Sequence, residues 1–210
     1  MQKSLPLALA VLTACASPAP APEPVALHQR VSHLVEVFAN GREFATGTGQ
    51  PIGPDLFLTA DHVVAPPRYD PFAAMSFQIE GLPVVEVIHL EGLDAALLRT
   101  ERPHGLEVWP LDARPIVPGE ELMLTGWGYG THRFSRHYGC LEQTCSSGPC
   151  APGDSGGALL DADGDIVAIV VAISTRRFAG HHSHVVPASA IRAQMLAQGI
   201  TLTPSPPEAL

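Results

Sequence analysis

Short apolar stretches alternate with clusters of Gly, Pro, Asn and Asp along most of this chain. Such stretches, bounded by turn formers, read as antiparallel strands, because a period of two puts alternate side chains on one face. The pattern predicts strands over 32–38, 44–50, 56–59, 75–79, 84–90 and 95–99. After a loop rich in Pro and Gly, a second series follows over 121–125, 158–160, 166–173 and 184–186. Asn40-Gly41, Gly53-Pro54 and Asp161-Ala162-Asp163-Gly164 supply turns, since Gly accepts positive φ and Asn and Asp bond their own backbone. Only 188–198 has helical periodicity, with apolar Ile191, Met195 and Leu196 and a stop at Gly199. No internal repeat is present.

Composition narrows the class. Of the 210 residues, 21 are Pro and 19 Gly, a density of breakers that argues against long helices and for an all-β fold. The 46% hydrophobic share is too high for disorder over the whole length and suffices for a sizeable core. With 12 Lys and Arg against 21 Asp and Glu, the net charge is −9, which argues against a cationic face for nucleic acid. No apolar run reaches the roughly 18 residues of a spanning helix. Heptads and a Gly triplet period are absent as well.

The first residues read as an address. Lys3 precedes an apolar stretch over 5–12, and the small residues Thr13, Ala14, Cys15 and Ala16 follow, the order of a secretory signal. Leu12-Thr13-Ala14-Cys15 resembles a bacterial lipobox, in which the Cys thiol is acylated and becomes the new N-terminus. The alternative is ordinary cleavage after Ala16, which releases a soluble protein. Residues 17–24, Ser-Pro-Ala-Pro-Ala-Pro-Glu-Pro, form a polyproline-like spacer reaching roughly 3 Å per residue. The expected organisation is a lipoprotein-type signal over 1–14, a lipid-anchored linker over 15–27, one domain over 28–202, and a frayed Pro-rich tail over 203–210.

The strongest chemical signal is Gly153-Asp154-Ser155-Gly156-Gly157. A Ser among glycines on a tight turn can expose its hydroxyl while backbone N–H groups converge on one space, as an oxyanion hole requires. Upstream, Leu58-Thr59-Ala60-Asp61-His62-Val63-Val64 puts a His at the end of an apolar strand, and Leu93-Asp94-Ala95-Ala96-Leu97-Leu98 puts an acid before another. A serine hydroxyl needs a base, imidazole has a suitable pKa, and a buried carboxylate fixes the imidazole tautomer. Asp61, beside His62, reads as a solvated side chain with the alternative of competing for the imidazole.

With Gly126-Trp127-Gly128 added, these motifs resemble the trypsin-like (chymotrypsin-fold) serine protease family, bacterial type, over most of the chain. The resemblance implies an all-β fold of two six-stranded antiparallel barrels with a C-terminal helix and a catalytic cleft between the barrels. It assigns His62 as general base, Asp94 as its orienting acid and Ser155 as nucleophile. The N–H groups of Gly153 and Ser155 become the oxyanion hole.

The chain also departs from the family. Arg30-Val31-Ser32-His33 only faintly echoes the start that activates animal members, so no zymogen step and a different partner for Asp154 are expected. The segment from Gly128 to Ser155 is short. No Cys follows Ser155 to complete the family's usual pair, so pairing among Cys140, Cys145 and Cys150 is expected to be local, in a loop of about six to ten residues, with one thiol free. A metal site from these three and His137 is the lesser alternative. Pro149 stands where enzymes selective for basic residues carry Asp. Val170 and Val171 would narrow the pocket, while His181, His182 or His184 would favour an acidic residue; a solvated His-rich loop is the plainer reading.

The resulting expectation is a secreted or membrane-anchored, periplasm-facing serine endopeptidase acting on a protein or peptide substrate, without metal or organic cofactor. The alternative is a catalytically silent relative used as an extracytoplasmic binding module.

Overall fold

In strand β1 (His33–Ala39), the alternate residues His33, Val35 and Val37 are buried, the period expected of one wall of a closed sheet. Strand β2 (Arg42–Gly53) begins exposed and is buried from Gly47 onward. Gly49 on β2 leaves room for inward side chains of β4 and β1: a Cβ there would stand 2.8 Å from Ile79 Cδ1 and 3.1 Å from Val35 Cγ2. Strands β3 (Leu56–Thr59), β4 (Met75–Ile79), β5 (Leu82–His89) and β6 (Ala96–Thr100) complete a barrel in the order β1-β2-β3-β6-β5-β4, all neighbours antiparallel. The one-turn helix α1 (Asp61–Val64) follows β3.

The computed structural model describes residues 29–140, 142, 144–176 and 180–202, with the side chains of 173–181 outside the description. The expected signal, linker, Cys15 and tail lie outside the described residues.

The second barrel is formed by β7 (Glu121–Gly126), β8 (Arg133–Gly139), β9 (Cys145–Ser147), β10 (Ala158–Leu160), β11 (Ile166–Arg176) and β12 (Gly180–Pro187), in the order β10-β11-β12-β9-β8-β7. Helix α2 (Ala188–Ala197) packs on β11 and β12. The two six-stranded barrels implied by the family resemblance are both closed.

Two of the twelve strands, β8 and β9, escape the apolar pattern. In β8 the large apolar residues Phe134 and Tyr138 point outward, while His137 and Gly139 are buried. His137 sits inside because its polar atoms are matched there: Nδ1 lies 3.0 Å from Ser146 Oγ and Nε2 3.3 Å from the Pro149 carbonyl. Gly148 leaves room for the ring, since a Cβ would come within 2.5 Å of it. In α2, Ile191 and Met195 are buried as expected, but Leu196 is 71% exposed and Ala188 takes the inner position.

One apolar cluster runs from the first barrel across the seam to α2, linking Phe57, Leu58, Leu97, Ile169, Ile191 and Met195. A smaller one, including Leu122, Leu124, Leu159 and Val170, belongs to the second barrel.

The seam is polar as well, and Thr48 is its hub. Its N–H donates to the Ser155 carbonyl at 2.9 Å, and its hydroxyl donates to the Gly153 carbonyl at 2.7 Å. The same hydroxyl accepts the Trp127 N–H at 2.9 Å, and the Thr48 carbonyl accepts the Thr59 hydroxyl at 2.7 Å. Gly156 lies against this carbonyl, where an added Cβ would stand only 2.2 Å away, at a φ of +84°.

Gly156→Ala therefore adds both a backbone collision and left-handed strain, and should destabilise the protein by more than about 3 kcal/mol. Gly92→Ala, at a φ of +76° with nothing within 4 Å, should cost only about 1–2 kcal/mol. Urea unfolding of the two variants measures the difference. A second expectation concerns acid. Burial holds the His137 imidazole below its ordinary range, so below about pH 6.5 the unfolded chain takes up a proton that the folded chain resists. Stability should fall as pH drops from 7.5 to 5, and the fall should be shallower in His137→Gln, read as Tm against pH.

Candidate active site

The site is assembled from three short segments at the seam. Strand β3 runs buried to Thr59, and the chain then turns at extended Ala60 into α1, which presents Asp61 and His62 outward and Val63 and Val64 inward. The turn between β5 and β6 carries Asp94. It is closed by the Leu90 N–H on the Ala95 carbonyl and the Leu93 N–H on the Leu90 carbonyl, both at 3.0 Å.

Asp94 holds His62 twice. Oδ2 lies 2.9 Å and Oδ1 3.1 Å from His62 Nδ1, and Oδ1 also accepts the His62 amide N–H at 3.0 Å. Partial burial pushes the Asp94 carboxyl up, but the bonds from His62 together outweigh it and hold the group below its usual value. An ionised carboxylate only accepts, so Nδ1 carries the proton and Nε2 the lone pair. The side chains of His62 and Asp94 are 45% and 38% exposed; the carboxylate is half-open to solvent rather than buried as the sequence reading expected. The turn that carries it lies at the barrel rim, with exposed Glu91 and Gly92 before it.

Ser155 is presented by a turn that leaves few alternatives to the backbone. Gly153 has a φ of +99°, and a Cβ there would meet the Trp127 carbonyl at 2.4 Å. The Asp154 N–H donates to Ala151, Gly156 N–H to Val170 and Gly157 N–H to Asp154. The N–H groups of Gly153 and Ser155, between these, have no acceptor among the described residues. Two free donors one residue apart are what an oxyanion would need. Gly156 in turn abuts the Ala60 N–H, 2.9 Å from where its Cβ would be, so the Ser155 turn lies two residues from the His62 position.

Asp154 has the different partners expected of it. It is 1% exposed, accepts the Ala151 N–H at 2.7 Å, and lies 3.7 Å from Arg133 Nε. Burial raises its carboxyl above the usual range, with the Ala151 N–H and the Arg133 charge drawing it back.

The specificity candidates scatter. Val170 belongs to the second barrel's core, and only its backbone faces the Ser155 turn, through Gly156 and Gly157. Val171 packs in the core that spans the seam. Pro149 is exposed, with its carbonyl accepting Ser135 and facing His137. His182 stands 3.8 Å from Cys140 Sγ. The local pairing of cysteines is Cys140 with Cys145, five residues apart, closing the β8–β9 turn. Cys150 is free, faces Ser183 Oγ at 2.8 Å, and is pushed up to about 11 chiefly by burial. With two sulfurs joined, the four ligands of the alternative metal reading are not gathered; only Cys150 stands near His137, at 3.9 Å.

Three residues of the site, Thr48, Arg133 and His89, escape a sequence reading. Thr48 acts on Trp127, Gly153 and Ser155, and Arg133 on Asp154, each more than twenty residues away. Asp61 turns from His62 and bonds His89 on β5, Oδ1 to Nδ1 at 2.5 Å. The one available signal was at Asp61 itself, a charged residue beside the base.

The Trypsin-like peptidase domain model matches residues 47–169, which include α1, the Asp94 turn and the Ser155 turn. No curated protein sequence matches the chain. Among solved structures, the active form of the Rv3671c protease from M. tuberculosis is similar, with a TM-score of 0.64 at 21% identity over 95% of this chain and 96% of that one. The inactive form gives 0.61 at 20% identity over 83% and 91%. A serine-to-alanine mutant in the inactive form gives 0.61 at 20% over 88% and 95%. These likenesses establish a shared chymotrypsin-like fold of two barrels, and with a family model matching more than half of its length, the chain belongs to the trypsin-like peptidases.

Proposed function

We propose that this protein is a serine endopeptidase in which Ser155 is the nucleophile, His62 the general base and Asp94 its orienting acid. The observation that carries the reading is the double hold of Asp94 on His62, at the ring nitrogen and the amide, which leaves Nε2 as the proton acceptor. Ser155 Oγ attacks the carbonyl carbon of the scissile bond as its proton passes to His62 Nε2. The carbonyl oxygen, now negative, takes the unpaired N–H groups of Gly153 and Ser155. Collapse of this intermediate breaks the C–N bond, with His62 returning the proton to the leaving amine. A water, deprotonated by the same imidazole, then releases the acyl group and restores the serine. The developing imidazolium is stabilised by the Asp94 carboxylate, which the His62 bonds keep ionised.

The substrate in this reading is a protein or peptide, met outside the cytoplasm. Support for that location comes from the sequence: the apolar leader, the lipobox-like Cys15 and the Pro-rich spacer. The Cys140–Cys145 disulfide agrees with an oxidising compartment. Acylation at Cys15 would hold the domain clear of a membrane surface.

The test is labelling of the purified protein by a serine-reactive phosphonate, beside Ser155→Ala. Labelling is expected in the wild type and absent in the variant. A folded wild type that takes no label would overturn the enzyme reading and leave a binding module. For the anchor, radioactive fatty acid should enter the protein in bacterial cells and be lost in Cys15→Ser; incorporation surviving that change would sink it.

A further inference from the structure

Helix α1 is fastened to the β5–β6 hairpin by two His–carboxylate bridges of opposite sense. From the helix, Asp61 reaches His89 at the end of β5. From the next helix residue, His62 reaches Asp94 in the turn. Each element thus contributes one carboxylate and one imidazole. Asp61 and His62 are adjacent, so the base has two carboxylates within its neighbourhood, and only one of them is on the side that fixes Nδ1.

An unengaged carboxylate next to an imidazole competes for its N–H and stabilises its charged form. Either effect would harm a base that must keep its lone pair on Nε2. Here Asp61 is engaged. Its carboxylate is one-third exposed, while His89 is 61% exposed, so His89 contributes little to the core and its removal leaves packing intact. The position of His89 is fixed from two sides: it pairs with Ala96 on β6, and its carbonyl accepts the Gln198 side-chain N–H at 3.1 Å beyond the end of α2.

We propose that His89 is a positioning residue of this site, which captures Asp61 so that the carboxylate beside the base does not draw His62 away from Asp94. The role rests on the peptidase reading for its importance in turnover, but the capture itself is a property of the two bridges. The titratable neighbours of the pair along the chain are His62 and, two residues past His89, Glu91, with Asp94 bound to His62; the residues that meet His89 from β6 and just past α2, Ala96 and Gln198, are neutral. Removing His89 loses a cation when it is protonated and frees a carboxylate when it is not. Both raise the affinity of His62 for a proton.

The experiment is NMR titration of His62 in the full-length protein carrying 13C-labelled imidazoles, in wild type, His89→Ala, Asp61→Asn and the double variant. In His89→Ala the His62 midpoint should move up by about half a pH unit. In the double variant this upward shift should be lost. On a peptide substrate, kcat of His89→Ala should fall by about fivefold with KM unchanged, and Asp61→Asn added to it should restore kcat. An unmoved His62 titration in His89→Ala, or a double variant that stays shifted, would overturn the proposal. The predicted titrations in a protein that takes no phosphonate label would support the capture while removing the peptidase reading.

Discussion

The candidate site exists because Thr48 holds two barrels at one point. A single side chain and its peptide make four hydrogen bonds across or beside the seam, two of them to the carbonyls of Gly153 and Ser155. Fixing these carbonyls holds the peptides on both sides of the one that carries the unbonded Ser155 N–H, and so limits the direction in which that N–H points. The close approach of Gly156 to the Thr48 carbonyl and the Ala60 amide then sets the Ser155 turn against the start of α1. Threonine suits the position: its hydroxyl both donates and accepts, and its branched carbon limits rotation. A seam joined by apolar contact alone would hold the barrels together without fixing which way a peptide faces.

Burial is distributed in a way that matches these demands. The groups that must not move, Thr48, Thr59 and Asp154, are buried. The three groups proposed to carry the chemistry, His62, Asp94 and Ser155, are partly open to solvent. Asp154 illustrates the cost of the first condition. Its carboxylate is held in a place that raises it, offset by the Ala151 amide and the Arg133 charge, and Gly126 and Gly128 are there because Cβ atoms would come within 2.9 Å of one of its oxygens.

Much of this could be read from the chain, and the exceptions have a common cause. Strands β3, β4 and β10 agree at both ends with the apolar pattern, because each is a short run whose buried face is made of large aliphatic or aromatic residues. Strand β8 was hidden because its inner face is His137 and Gly139 and its outer face carries Phe134 and Tyr138; polar partners in β9 override hydropathy there. Leu196 misled for the opposite reason, an apolar residue left at the surface. At the site, His62, Asp94 and Ser155 announce themselves through local motifs. Thr48, Arg133 and His89 do not, since what each does depends on a partner brought close only by barrel closure. Val170, expected to narrow the pocket, has its side chain in the second barrel's core, where the parity of β11 places it.

The division of labour between the barrels has a kinetic consequence. His62 and Asp94 both belong to the first barrel, and Ser155 to the second, joined to Thr48 across a separation in sequence of about half the chain. Contacts of such long range form late in folding, after the loop entropy between them has been overcome. On the proposed reading, a chain with one barrel complete and the other unformed holds a base without a nucleophile or a nucleophile without a base. Reactivity at Ser155, on that reading, would therefore report on global folding, and a partly folded chain would carry none of it.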